Sequence, residues 1–422
     1  MIEPALNPRD LDESLRRVER MSERRRRMDD FFRMSDVFMF QLPRKIIFGN
    51  GAIKRIGEEA AGMFPEMKKV FMVTDKGVMK TGLTEEATAS LKKSGFEVFV
   101  FDEVVPDPPI RLVLKCTDLA RKEGAQIIFG IGGGSSIDAA KAVSFMIPYE
   151  GEIYECLGIN QLKKPGLPKI FVPTTAGTGS ELSHTFVLTD DRSGDKVTSY
   201  SPYTFSDLSL IDPVLTLSMP PRVTAESGMD AFSHALESFV TIRANPLSDL
   251  LAKRGIKIIS KNIRKAYAKG SHNLEARYAM CFGVCMGTMA IRSSGIGAVH
   301  ATCYPPAMKY HLTHGCAISI MMPYVMEYNL ISNQGKYAAI ALAMGERVEK
   351  LSLSEAAGAA VKSVKRLIQD LGVPARLKDV GAKKEDFPEF ARIVAKRYAH
   401  HLANNPRNLT EEDILRIYES AW

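Results

Sequence analysis

Phe129-Gly-Ile-Gly-Gly-Gly-Ser-Ser-Ile-Asp138 lies between an apolar run, Gln126–Ile131, and an alanine-rich stretch, Asp138–Phe145. The first has the composition of a buried strand and the second the spacing of a helix, so the segment between them is a strand-to-helix turn. Glycines there let the backbone approach a ligand closely, and free amides at a helix N-terminus bind an anion such as a pyrophosphate. The turn matches neither common nucleotide fingerprint. GxGxxG requires glycine where Ser135 stands, and no GxxxxGK[ST] occurs in the chain. A nucleotide fold of another kind is implied.

The same alternation extends to both sides of this turn. Strands are predicted at Lys45–Phe48, Val70–Thr74, Glu97–Phe101, Gln126–Ile131, Lys169–Val172 and Leu208–Ile211, and helices over Ala52–Ala61, Leu83–Lys93 and Arg111–Glu123. That order predicts right-handed crossovers and a parallel sheet with helices on its faces. Phe186–Leu188 and Lys196–Tyr200, around Asp191–Gly194, predict a hairpin. Beyond Pro220-Pro221 the strand pattern stops, and 226–241, 247–268, 273–292 and 354–371 carry the clearest helical periodicity. The expected fold class is an α/β nucleotide-binding domain with a parallel sheet (37–221), followed by an all-α metal-binding domain (222–422). Residues 1–36 precede them as a helical extension. In that extension Leu11, Leu15, Val18 and Met21 form an apolar stripe, which either packs on its own subunit or makes an oligomer contact.

A chain of 422 residues exceeds the ~250–300 at which one core stops growing, in keeping with two domains. Hydrophobic residues are 45% and charged residues 25%, which excludes disordered and fibrous classes. The net charge is +7, but the Arg24–Arg27 run is balanced by neighbouring acids, and no basic stripe tracks a phosphate backbone; no nucleic-acid partner is expected. The longest uncharged apolar run, Tyr278–Ile291, is too short for the ~20 residues of a membrane span and reads as a buried helix. No signal core is seen and the six cysteines form no CxxC, so a cytoplasmic protein with reduced thiols and no membrane partner is expected.

Pro173-Thr-Thr-Ala-Gly-Thr-Gly-Ser-Glu181 is a second glycine turn at a strand end, and Asp75 ends the strand Val73-Thr74-Asp75. Ligands of open parallel sheets sit at such carboxyl ends, and a carboxylate there accepts both ribose hydroxyls, which favours NAD over a 2′-phosphorylated cofactor. A third constellation lies in the helical half: Gly228-Met-Asp230-Ala-Phe-Ser-His234, then His300, then His311-Leu-Thr-His314-Gly315. Asp230 and His234 share a helix face at i and i+4, a spacing that suits two ligands of one metal or a helix-surface hydrogen bond. Four of the eight histidines fall in this stretch, which favours a site.

GGGSSIDAAK at 132–141, PTTAGTGSE at 173–181, GMDAFSHALE at 228–237 and a His300–His314 pair followed by glycine together resemble the iron-containing (group III) alcohol dehydrogenases, which share a dehydroquinate synthase-like fold. The resemblance covers about 37–422. It implies that Asp230, His234, His300 and His314 hold a metal, Fe²⁺ with Zn²⁺ as the alternative. It implies also that Gly132, Gly133, Gly134 and Ser135 bind pyrophosphate, that Asp75 selects the cofactor, and that Asp138, Thr174, Thr175, Thr178 and Lys196 make further cofactor contacts. One departure stands out: Tyr304 occupies a place where the family usually has a second histidine, so Tyr304, with His311 as the next candidate, is the expected proton-handling residue.

The function expected is metal-dependent, NAD(H)-linked hydride transfer between nicotinamide and a small alcohol or aldehyde, by a homo-oligomer. Hydroxyacid–oxoacid transhydrogenation and a dehydroquinate synthase-like lyase are the alternatives. The single Arg292 among residues 278–308, and an Asp/His/His/His ligand set in place of Glu and two His, weigh against the lyase.

Overall fold

The computed structural model describes residues 37–422. The amphipathic stripe expected within 1–36 lies outside the described residues.

Eight strands form as the alternation predicts: β1 (Lys45–Phe48), β2 (Lys69–Val73), β3 (Glu97–Phe101), β4 (Ile127–Gly132), β5 (Lys169–Pro173), β6 (Thr185–Thr189), β7 (Lys196–Tyr200) and β8 (Leu208–Ile211). Six make one sheet in the order β1-β8-β5-β4-β2-β3, all parallel, with Lys45 paired to Leu208 at one end and Lys69 to Glu97 at the other. The hairpin β6–β7 stands apart, pairing Thr185 with Tyr200. Helices alternate with the strands: α1 (Ile56–Met63), α2 (Lys76–Met79), α3 (Leu83–Lys93), α4 (Ile110–Lys122) and α5 (Gly134–Met146).

Both faces of the sheet are covered, which is why its central strands are apolar throughout rather than alternating. Val70, Met72, Phe129 and Val172 face the side packed by α1 and α3, while Phe71, Val73, Ile128 and Phe171 face α4 and α5. The helix expected over Ala52–Ala61 divides into a 3₁₀ turn, Ala52–Arg55, and α1. The Asp212 carboxylate accepts from the Gly51 and Ile53 amides at 3.0 and 3.1 Å, which ties this turn to the end of β8.

From Pro221 onward the described residues contain helices and no strand: α6 (Pro221–Val240), α7 (Pro246–Lys269), α8 (Leu274–Ser294), α9 (Ala298–Lys309), α10 (His314–Asn329), α11 (Gln334–Ala343), α12 (Leu353–Asp370), α13 (Phe387–Arg397), α14 (Ala399–Leu402) and α15 (Glu411–Ser420). The apolar run Tyr278–Ile291 lies on α8, where Met280, Cys281, Val284 and Cys285 are buried against α6 and α7. No single helix among the described residues is long and apolar enough to cross a membrane. All six cysteines are buried and unpaired, and burial pushes the Cys281 thiol up to about 12.

Candidate active site

The helical half positions its polar residues by helix register. Asp230 and His234 are one turn apart on α6, His300 lies on the first turn of α9, and His314 opens α10 behind a Thr313 cap. Their ring nitrogens converge on one atom: His234, His300 and His314 place Nε2 at 3.7, 3.8 and 3.6 Å from Asp230 Oδ1. Those separations exceed a hydrogen bond. Asp230 Oδ1 and His300 Nε2 are buried with no hydrogen-bond partner among the described residues. Four ligand-type atoms that surround a common point without bonding one another fit a divalent cation, and Asp230, His234 and His300 form the tightest such group.

The protonation states agree. Burial and the charge of His300 hold His234 and His314 well below the ordinary imidazole value, so both are neutral and able to ligate. Burial would lower His300 too, but the Glu237 and Asp230 carboxylates outweigh it and raise its pKa. Glu237 accepts a short hydrogen bond from His300 Nδ1 and accepts the Gly297 and Val299 amides at 3.1 and 2.8 Å. It thereby fixes the tautomer that turns Nε2 toward Asp230. The sequence reading passed over Glu237; its signal was the register, since Asp230, His234 and Glu237 at i, i+4 and i+7 share one face of α6.

A cleft of about 390 Å³ opens on this group, lined also by Thr178, His184, Arg292, Tyr304 and His401. The Tyr304 ring stacks on His314 at 5.7 Å and on Tyr398 at 4.8 Å, and burial holds its phenol well above its ordinary pKa. A second cavity, of about 910 Å³, lies at the carboxyl ends of the strands and is lined by Asp75, Gly133, Gly134, Ser135, Thr174 and Thr175. There α5 begins without a side-chain cap, so its first amides are free to meet an anion. Gly132, at φ +152, is required because a Cβ would lie 2.6 Å from Ser136 Oγ. Asp75 caps α2 through the Val78 amide (3.0 Å) and accepts Ser136 Oγ at 3.1 Å, which holds its carboxylate at the cavity rim.

Not every sequence candidate lies where expected. His311 is exposed, in the left-handed region at φ 51, and lines neither cavity, because the turn between α9 and α10 carries it outward. Lys196 pairs with Asp107 at 2.7 Å and also lines neither. Asp138 and Thr178 line the cleft of the histidines rather than the cavity at the glycine turn; Asp138 is held by Ser180 Oγ, the Val187 amide (2.9 Å) and Lys141 (3.7 Å). His400 and His401, which belong to none of the sequence motifs, line the cleft as well, because α14 folds back beside Tyr304.

A parallel sheet with a glycine turn at its carboxyl edge, joined to a helical layer in which an aspartate and three histidines converge, is the arrangement of a two-layer nicotinamide oxidoreductase. Residues 43–213 match the family described as iron-containing alcohol dehydrogenase, and 224–422 its C-terminal part, described as Fe-containing alcohol dehydrogenase family, C-terminal. The chain belongs to the iron-containing alcohol dehydrogenase family, and it is an NAD-linked oxidoreductase of alcohols and their carbonyl counterparts. It is 37% identical over 388 residues to 1,3-propanediol dehydrogenase of Citrobacter freundii, covering 92% of this chain and 99% of that one. The solved alcohol dehydrogenase from Oenococcus oeni superposes with a TM-score of 0.88 at 38% identity, covering 92% and 100%. Sulfoacetaldehyde reductase from Bifidobacterium kashiwanohense, solved in complex with NAD⁺, superposes with a TM-score of 0.82 at 27% identity, covering 92% and 99%.

Proposed function

We propose that the chain divides near 221 into a cofactor domain and a catalytic domain, and that Asp230, His234, His300 and His314 hold one divalent metal, Fe²⁺ by family. The observation that carries this reading is the convergence of three imidazole nitrogens on a buried, unpartnered carboxylate oxygen. When bound, the metal supplies Lewis acidity toward the reacting oxygen. The remaining work falls to the chain's own residues. Gly133, Gly134 and Ser135 hold the pyrophosphate on the α5 amides, and Thr174 and Thr175 flank it. Asp75 accepts the ribose hydroxyls and repels a 2′-phosphate, so NAD is used in preference to NADP. Glu237 keeps His300 in register. A bound nicotinamide would supply the hydride chemistry in the cleft, where the Tyr304 hydroxyl is placed to pass the alcohol proton outward. Six free cysteines favour a reducing, cytosolic setting.

Metal analysis tests the assignment. Wild type should hold one divalent ion per chain, and His234→Ala should lose both metal and turnover while binding NAD as before. Full activity in a metal-free preparation, or normal turnover by His234→Ala, overturns it.

A further inference from the structure

We propose that the cleft takes substrates with an anionic end, a carboxylate or a sulfonate, and that Arg292 is the residue that selects them. This rests on the dehydrogenase reading above and adds the substrate class.

Arg292 stands on the last turn of α8 and lines the same cleft as Asp230 and the histidines. Its Nη1 donates to Ser183 Oγ at 2.9 Å and to Thr185 Oγ1 at 2.6 Å, which fixes the plane of the guanidinium. Nε is shut off from solvent with no acceptor, Nη2 has none among the described residues, and no carboxylate there pairs with the group. Burial lowers its pKa to about 10, so it stays charged at neutrality. A half-buried cation with no carboxylate partner is costly, and a planar, pre-oriented guanidinium edge is the geometry that carboxylate and sulfonate oxygens match.

The surroundings leave that cation to the ligand. Among the acids of the cleft, Asp138 is committed to Lys141, Ser180 and the Val187 amide, and Asp230 lies amid three imidazoles. Arg243 lies at the mouth, exposed and without an ion pair among the described residues, and with Arg292 it lines the adjoining outer cavity of about 880 Å³. An anion approaching from that side meets one guanidinium in solvent and a second in the cleft. The chemistry is unchanged and balanced: the carbinol C–H bond breaks, its hydride reduces NAD⁺, the hydroxyl proton goes to solvent, and the anionic end is only held.

The holoenzyme is assayed with 4-hydroxybutyrate against 1-butanol and with 2-hydroxyethanesulfonate against ethanol. The expected result is a kcat/KM at least ~10-fold higher for one or both anions, and a fall of about 30-fold or more in that anion-to-neutral ratio in Arg292→Gln, partly restored in Arg292→Lys. Calorimetric titration with butyrate and methanesulfonate reads binding apart from turnover: wild type binds at least one, and Arg292→Gln weakens it. If thermal melting shows that Arg292→Gln does not fold, Arg243→Gln decides, by a raised KM and a weaker salt dependence for the anions only. Neutral alcohols oxidised as well as both anions, with anion binding unaltered by the Arg292 or Arg243 change, overturn the proposal while the dehydrogenase reading stands. Failure to oxidise any of the four overturns that reading instead.

Discussion

Tyr304 stands where the family resemblance implies an imidazole, and the two groups differ in what they can do with a proton. Its ring is held between His314 and Tyr398, and burial keeps the phenol protonated throughout the working range. Such a hydroxyl passes a proton along but does not retain one as a base near neutrality. Tyr304→Phe should therefore slow alcohol oxidation by about ten- to a hundredfold with metal content unchanged, and Tyr304→His should restore turnover with a new pH dependence near neutrality. Steady-state rates from pH 6 to 9 check this; a Phe variant equal to wild type at every pH would leave the hydroxyl without a role. The proposed ligand residues were legible from spacing and motif, since Asp230 and His234 share a helix face and His300 and His314 fall in a recognisable pattern. Glu237 and Arg292 were not. Each looks like an ordinary surface charge in the sequence, and only tertiary packing sets Glu237 against His300 and Arg292 against Ser183.

The elements that carry these residues differ in how clearly their sequences announce them. The strands are apolar and bounded by turns because the sheet is covered on both faces, and β1, β3 and β8 begin and end where the pattern places them. Helices α9 and α10 carry three of the most informative residues and yet lack a clear polar face, being buried nearly all round and holding Pro305, Pro306 and Pro323 within them. Their burial also leaves no slack. Gly315, the second residue of α10, packs so closely on α6 that a Cβ would lie 2.1 Å from the Glu226 carbonyl oxygen, a backbone atom that cannot rotate aside. Gly315→Ala should push the start of α10, and His314 with it, away from Asp230. The expected cost is about 1–3 kcal/mol of stability together with weaker metal retention, read by urea unfolding and by metal content after dialysis. Unchanged values for both would mean that the helix pair tolerates the shift.

Across the whole molecule the two layers are sewn together by polar residues in poor contact with water, and one of them makes stability depend on pH. Glu181, in the turn after β5, is buried near Cys281 and Cys285 of α8, and burial raises its pKa from 4.5 to about 7 against the pull of its backbone and Lys141. The native state thus binds a proton that the unfolded chain has released between those values, so its contribution is complete below about pH 4.5 and is lost as pH rises toward 7. Glu181→Gln, which imitates the protonated acid, should match wild type near pH 4 and exceed it by about 3 kcal/mol at pH 8. Urea midpoints at the two pH values test the sign as well as the size. The order of the sheet has a different outcome, felt before the protein is ever complete. Because Lys45 of β1 pairs with Leu208 of β8, the first of the described strands to leave the ribosome is matched with the last strand of the sheet. It must stay a bare edge while everything between is synthesised, a wait during which the nascent chain depends on solubility or on a chaperone.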